Sequence, residues 1–151
     1  MKIKKFIPLE KQVVFPLYLC SKEVIRRYSI LLKEIDLTYT QFVVMMYFWE
    51  KKTSNIKELG KTMLLDSSTL TPLLKKLEKK KLITRKKSTL DERNLVVELT
   101  KKGEELHDKA IDIPMEMRKI GKLTKEEEEV LRNITIKFLK NVEEEMQNND
   151  K

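Results

Sequence analysis

The chain has 151 residues and a mass of 18.0 kDa, is 40% hydrophobic and 37% charged, and carries a formal net charge of +8. Its longest apolar runs, Val13–Cys20 and Phe42–Trp49, are eight residues each, far short of a membrane span. One cysteine (Cys20) and one histidine (His107) exclude an internal disulfide, a cysteine-based zinc site and nearly every histidine-based triad. The expected setting is a reducing cytosol without a signal peptide, and the basic balance favours a polyanionic partner, most simply nucleic acid. Charge is uneven along the chain. Residues 1–102 hold 23 basic and 11 acidic side chains, whereas residues 103–151 hold 9 and 13. That asymmetry suggests one part for a polyanion and another for a different task.

Three glycines and four prolines are sparse punctuation, so helices are expected. The first spans about Val13 to Lys33, with Pro16 starting or bending it. The second, Thr40–Lys51, follows the capping box Thr38-Tyr-Thr-Gln41 and places Phe42, Val43, Met46 and Trp49 at helical spacing. A short third helix, Ile56–Met63, follows the capping box Asn55-Ile-Lys-Glu58. The fourth, Ser67–Lys80, is capped by Asp66 and sets Leu70, Leu73, Leu74 and Leu77 on one face. Pro72 fits this helix only in or near its first turn. The period then changes. Leu82–Lys86 and Asn94–Leu99 are β-prone, with the polar loop Lys87–Arg93 between them. Two helices close the chain, near Lys101–Arg118 and Lys125–Gln147, the latter behind the capping box Thr124–Glu127.

Two short helices joined by a tight turn and followed by a β-hairpin predict a winged helix-turn-helix in a mostly α chain. Its fourth helix would be the recognition element. Ser67, Ser68, Thr69 and Thr71 would meet base edges and phosphates in the major groove, and Lys75 and Lys76 would hold the backbone. Arg85, Lys86, Lys87 and Arg93 would act from the wing at the minor groove, with residues 75–102 carrying 11 basic and 4 acidic side chains. Lysine runs taken alone usually mark solvated surface. Here they fall on the two elements that a winged helix presents.

The terminal helices need partners for their apolar stripes: Val13, Val14, Leu17, Val24, Ile25, Ile30 and Leu31 at the front, and Val130, Leu131, Ile134, Phe138, Leu139 and Val142 at the back. A two-fold homodimer would cover both. It would also set two recognition helices about 34 Å apart for a pseudo-palindromic double-stranded site. The expected divisions are a dimerisation helix in 1–36, a DNA-binding lobe in 37–100 and further dimerisation helices in 101–151.

Leu37-Thr-Tyr-Thr-Gln41, Leu65-Asp-Ser-Ser-Thr-Leu-Thr-Pro-Leu-Leu-Lys-Lys-Leu-Glu78, Leu82-Ile-Thr-Arg-Lys86, Asp91-Glu-Arg93 and Leu99-Thr100 together resemble the MarR family of bacterial transcription regulators. The pattern from Leu65 to Glu78 is most similar to the family's organic hydroperoxide resistance branch, although that branch usually has glycine where Ser68 stands. The resemblance implies that Arg93 reaches the minor groove with Asp91 orienting it. It also implies an oxidative-stress or small-molecule effector, and most simply a repressor. That branch senses peroxide through a cysteine in its first helix. Here the matching stretch is Gln12-Val-Val-Phe-Pro-Leu-Tyr18, with Val14 at the thiol position. The tyrosines that surround that thiol are matched by Tyr18, Tyr28 and Tyr39.

Cys20 lies six residues on, which turns it about 120° away from Val14. It is either a small buried hydrophobe or a displaced sensor. Phe15, Phe42 and Trp49 could join the tyrosines in a pocket or simply be core. His107 is expected on an exposed, charged helix face. Glu126–Glu129 should complement the last helix's N-terminus without binding metal. No cofactor motif is present. A switch without a thiol, constitutive DNA binding, a helical interaction module and a thiol peroxidase stand as alternatives.

Overall fold

The structure, a computed structural model, describes residues 6–87 and 95–149, the last without its side chain. Helix α1 spans Val14–Leu31 and runs into a 3-10 turn, Leu32–Ile35. Then follow α2 (Tyr39–Lys51), β1 (Thr53–Asn55), α3 (Ile56–Met63), α4 (Ser67–Lys79), β2 (Ile83–Lys87), β3 (Leu95–Leu99), α5 (Lys101–Ala110), α6 (Ile113–Gly121) and α7 (Lys125–Asn149). The fold is mostly helical with one small antiparallel sheet, as expected for a winged helix-turn-helix. Among the described residues no helix is long and apolar enough to cross a membrane. The chain divides into two compact units, Met1–Ile113 and Pro114–Lys151.

The predicted caps form. Thr38 and Gln41 close a reciprocal capping box, as do Thr124 and Glu127, and Asp66 accepts from Thr69 N–H at 2.8 Å. Asn55 caps α3 through Glu58 N–H at 2.7 Å, while Glu58's carboxylate turns instead to Ser54. Pro16 occupies the first turn of α1, where its missing N–H costs nothing, so it starts that helix rather than bending it.

Several expectations are corrected. The sheet has three strands in the order β1-β3-β2, not a lone hairpin. Ser54 pairs with Val97 on one side of β3, and Arg85 pairs with Val97 on the other. Pro72 is the sixth residue of α4, beyond its first turn, so the carbonyl of Ser68 lacks its helical donor. The helix expected over Lys101–Arg118 is broken into α5 and α6. Pro114, second in α6, cannot donate to the Ala110 carbonyl. In α2 the buried face is Gln41, Phe42, Val44, Met45 and Phe48, whereas Met46 is exposed. That helix is apolar on nearly every side: of the four residues at helical spacing, Phe42 is core and Trp49 packs against it, and only Met46 is exposed.

The core of the first unit joins Leu32, Phe42, Val44, Met45, Phe48, Leu59, Leu70, Leu74, Leu77, Ile83 and Val97, all at most 1% exposed. Two glycines let backbones meet there. A Cβ on Gly60 would sit 2.8 Å from the Leu65 carbonyl oxygen, in the turn where Leu64 adopts left-handed backbone (φ 52°). A Cβ on Gly103 would sit 2.2 Å from the Leu82 oxygen, where α5 meets the base of the hairpin. Thr100 fastens the same junction. It caps α5 through Gly103 N–H and donates to the Lys81 carbonyl at 2.7 Å.

Candidate nucleic-acid interface

The three buried leucines of α4, Leu70, Leu74 and Leu77, fix the helix's rotation. Its opposite side therefore faces solvent. Ser67, Ser68 and Thr69 are exposed at the N-terminus, Thr71 is half-buried, and Lys75 and Lys76 are exposed further along. Ser68 Oγ donates to Asp66 at 2.6 Å, so its proton is committed and its lone pairs face outward. The bonds from Ser68 Oγ and Thr69 N–H hold the Asp66 carboxyl below its ordinary range. An ionised acid at this end also suits the helix dipole.

The hairpin cations divide into three kinds. Lys87 is exposed at the end of β2, while Lys86 pairs with Glu98 across the strands at 2.9 Å. Arg85 is turned inward. Its guanidinium reaches Glu78 at 2.7 Å, its backbone N–H donates to the other oxygen of the same carboxylate at 3.2 Å, and its side chain is only 17% exposed. Arg85 thus ties the base of the wing to α4. The same contact holds the Glu78 carboxyl below its ordinary range. Asp91 and Arg93 lie outside the described residues.

Two further cations adjoin the recognition helix that sequence reading missed. Lys57 and Lys61, one turn apart on α3, line a groove with Asp66, Ser67, Thr71 and Leu95. Their i,i+4 spacing beside the helix-turn-helix was the available signal.

The proposed sensor residues separate into two sets. Val14 and Tyr18 share a face of α1 and are 55% and 59% exposed. Cys20 is also exposed in the single chain, not a buried hydrophobe. Tyr28 and Tyr39 instead pack together, ring centroids 4.8 Å apart, and continue through Phe42 to Trp49. Burial, then the neighbouring Tyr39, pushes the Tyr28 hydroxyl upward. Phe42 is core, and Trp49 donates its indole N–H to the Gly103 carbonyl at 2.8 Å. His107 is half-buried, packed edge-on against Trp49 at 5.3 Å rather than fully solvated.

Comparison with known proteins agrees with this arrangement. Residues 26–110 match the family described as transcriptional regulator SarA/Rot. The chain is 44% identical over 106 residues to the organic hydroperoxide resistance transcriptional regulator of Bacillus subtilis, covering 70% of this chain and 72% of that protein. It is 42% identical over 140 residues to the HTH-type transcriptional regulator SarZ of Staphylococcus epidermidis, covering 89% and 95%. The crystal structure of AbfR from Staphylococcus epidermidis superposes with a TM-score of 0.77 at 27% identity, over 90% of this chain and 94% of that one. Reduced AbfR bound to DNA gives 0.75 at 27% identity, over 89% and 94%. The chain belongs to the SarA/Rot family of transcriptional regulators, and the organic hydroperoxide resistance regulator is among its relatives.

Proposed function

We propose that this chain is a cytoplasmic homodimeric repressor, without enzymatic activity, that reads a pseudo-palindromic site on double-stranded DNA. The observation that carries the reading is the exposed polar N-terminal face of α4 (Ser67, Ser68, Thr69 and Thr71) held rigidly by three buried leucines. Lys75, Lys76, Lys57 and Lys61 hold phosphates around it, and Lys86, Lys87 and Arg93 serve the wing. Residues 37–100 form the reading lobe, and residues 1–36 and 101–151 join the copies. The exposed apolar side chains of α1 and α7 support this, each stripe finding its cover in a second chain.

The switch responds to oxidative stress or to a small molecule. The relatives include a regulator named for organic hydroperoxide resistance and a regulator solved in reduced form on DNA, which favours the first. Val14 at the usual thiol position favours the second, with a ligand near Tyr18, Tyr28 and Tyr39. Fluorescence anisotropy on DNA from upstream of the chain's own gene separates them, titrated with and without an organic hydroperoxide at two salt concentrations. Salt-sensitive binding released by peroxide makes Cys20 the sensor. Salt-sensitive binding indifferent to peroxide discards the thiol. Absence of binding to this and to generic DNA overturns the reading. Arg93→Gln should weaken specific binding by about 1–3 kcal/mol.

A further inference from the structure

Helix α4 carries a single acidic residue, Glu78, among Lys75, Lys76 and Lys79. Its position is unfavourable twice over. It is next to last in the helix, where the dipole disfavours a negative charge. It also lies on the element that would face a polyanion, where a carboxylate repels phosphate. The partner that offsets both is Arg85.

That contact reaches the backbone of β2 as well as a side chain. β2 is an edge strand paired with β3, so its outer backbone groups have no strand to bond. On that edge the Arg85 N–H donates to Glu78 Oε1 at 3.2 Å, while Nε and Nη2 donate to Oε2 at 3.0 and 2.7 Å. Three bonds to one carboxylate fix the strand's place and the side chain's direction together. Further along the hairpin the ties change character. Lys86 pairs with Glu98, which belongs to the hairpin itself and cannot set its angle to α4. Lys87, at the end of β2, is exposed. An ion pair serving stability alone would account for the two side-chain bonds. It leaves the bond to the strand's backbone amide unexplained.

We propose that Glu78 is a positioning residue for DNA recognition. It sets the angle at which the β2–β3 hairpin leaves α4, and so where Lys86 and Lys87 meet the duplex while α4 lies in the groove. This deepens the DNA-reading proposal and rests on it for its consequence. The carboxylate itself is required. A glutamine has one acceptor oxygen and one amino group, so whichever way it turns an N–H of Arg85 faces a donor. Charge and position predict opposite signs for Glu78→Gln. Removing a negative charge near phosphates should tighten binding and steepen its dependence on salt. Losing the hairpin's aim should weaken binding and flatten that dependence.

The test is fluorescence anisotropy of the full chain on DNA from upstream of its own gene, at several salt concentrations and well below the unfolding temperature of each variant. Glu78→Gln should bind about tenfold more weakly, and the slope of log affinity against log salt should fall by about one. Arg85→Lys keeps the net charge and loses part of the contact, so it should weaken binding in the same direction by less. Unchanged or tighter binding by Glu78→Gln would overturn the assignment and leave an ion pair that serves stability alone. A measurement without DNA runs beside it: residual dipolar couplings of the backbone amides of β2 and β3 against those of α4. In Glu78→Gln the strand couplings should change while those of α2 and α4 stay. Strand couplings equal to the parent's would overturn the positioning role even if binding fell. A parent chain that binds no DNA would instead sink the DNA-reading proposal, and the couplings would still decide whether Glu78 aims the hairpin.

Discussion

Phe48 and Leu139 are both large apolar residues on helices, yet Phe48 is fully buried whereas Leu139 is 47% exposed. The difference repeats across the regions to which they belong. Between Leu32 and Ile113 the chain closes a core of its own. In α1 no residue is buried, and no described side chain of α7 is buried either, although both helices carry apolar stripes. The first unit thus closes its own core, and the exposed stripes of α1 and α7 fit the proposal that a second chain covers them. Stability in the lobe should therefore be independent of protein concentration, and stability of the terminal helices should depend on it.

The sharpest way to break this contrast is to remove Phe48. Phe48→Ala should cost about 3–5 kcal/mol, read by urea unfolding at two protein concentrations. A loss that shrank at high concentration would mean that the lobe borrows its stability from assembly. Gly103→Ala acts on the same region by overfilling. The new methyl would press on the Leu82 carbonyl oxygen and the Leu99 side chain, and a backbone atom cannot rotate aside. A loss of about 1–3 kcal/mol is expected, with weakened DNA binding, because this junction carries the hairpin base.

On the other side of the comparison, Leu139→Ser should leave a dilute single chain nearly unchanged and weaken association by about 1–2 kcal/mol. Sedimentation equilibrium measures this directly. A parent chain that is monomeric at every concentration would remove the reason for the stripes.

The same contrast explains what was legible in the sequence. Caps were read correctly at Thr38, Asp66 and Thr124 because their chemistry is local, whereas the box expected at Asn55 forms only by half, Glu58 accepting from Ser54 instead. The recognition helix was readable because its leucines repeat over polar neighbours. In α2 spacing picked out Phe42 and Trp49 but not Val44, Met45 or Phe48, and it included the exposed Met46, because Phe42 to Trp49 is apolar without interruption and burial there depends on what packs against it. Thr53–Asn55 was missed as a strand because it has no alternating pattern and exists only through pairing with β3. Arg85 could not be told from its neighbours Lys86 and Lys87 by charge. Only the fold brings Glu78 beneath it.

The smallest expected effect concerns that Glu78–Arg85 contact, which stiffens the lobe without filling its core. The guanidinium holds the Glu78 carboxyl below its ordinary range in the folded chain. A depressed carboxyl contributes stability above its unfolded pKa, and that contribution is lost as pH falls through the folded one. Wild type and Glu78→Gln should therefore differ by a constant amount near neutrality, and the difference should shrink below about pH 4–5. Asp66 and Glu126 are lowered in the same direction, but both remain in the variant, so the difference between the two curves isolates Glu78. Thermal unfolding from pH 7 to pH 3 at constant ionic strength supplies those curves. A difference that stayed flat to pH 3 would mean that the amide loses only packing, and that charge does not join the wing to the recognition helix.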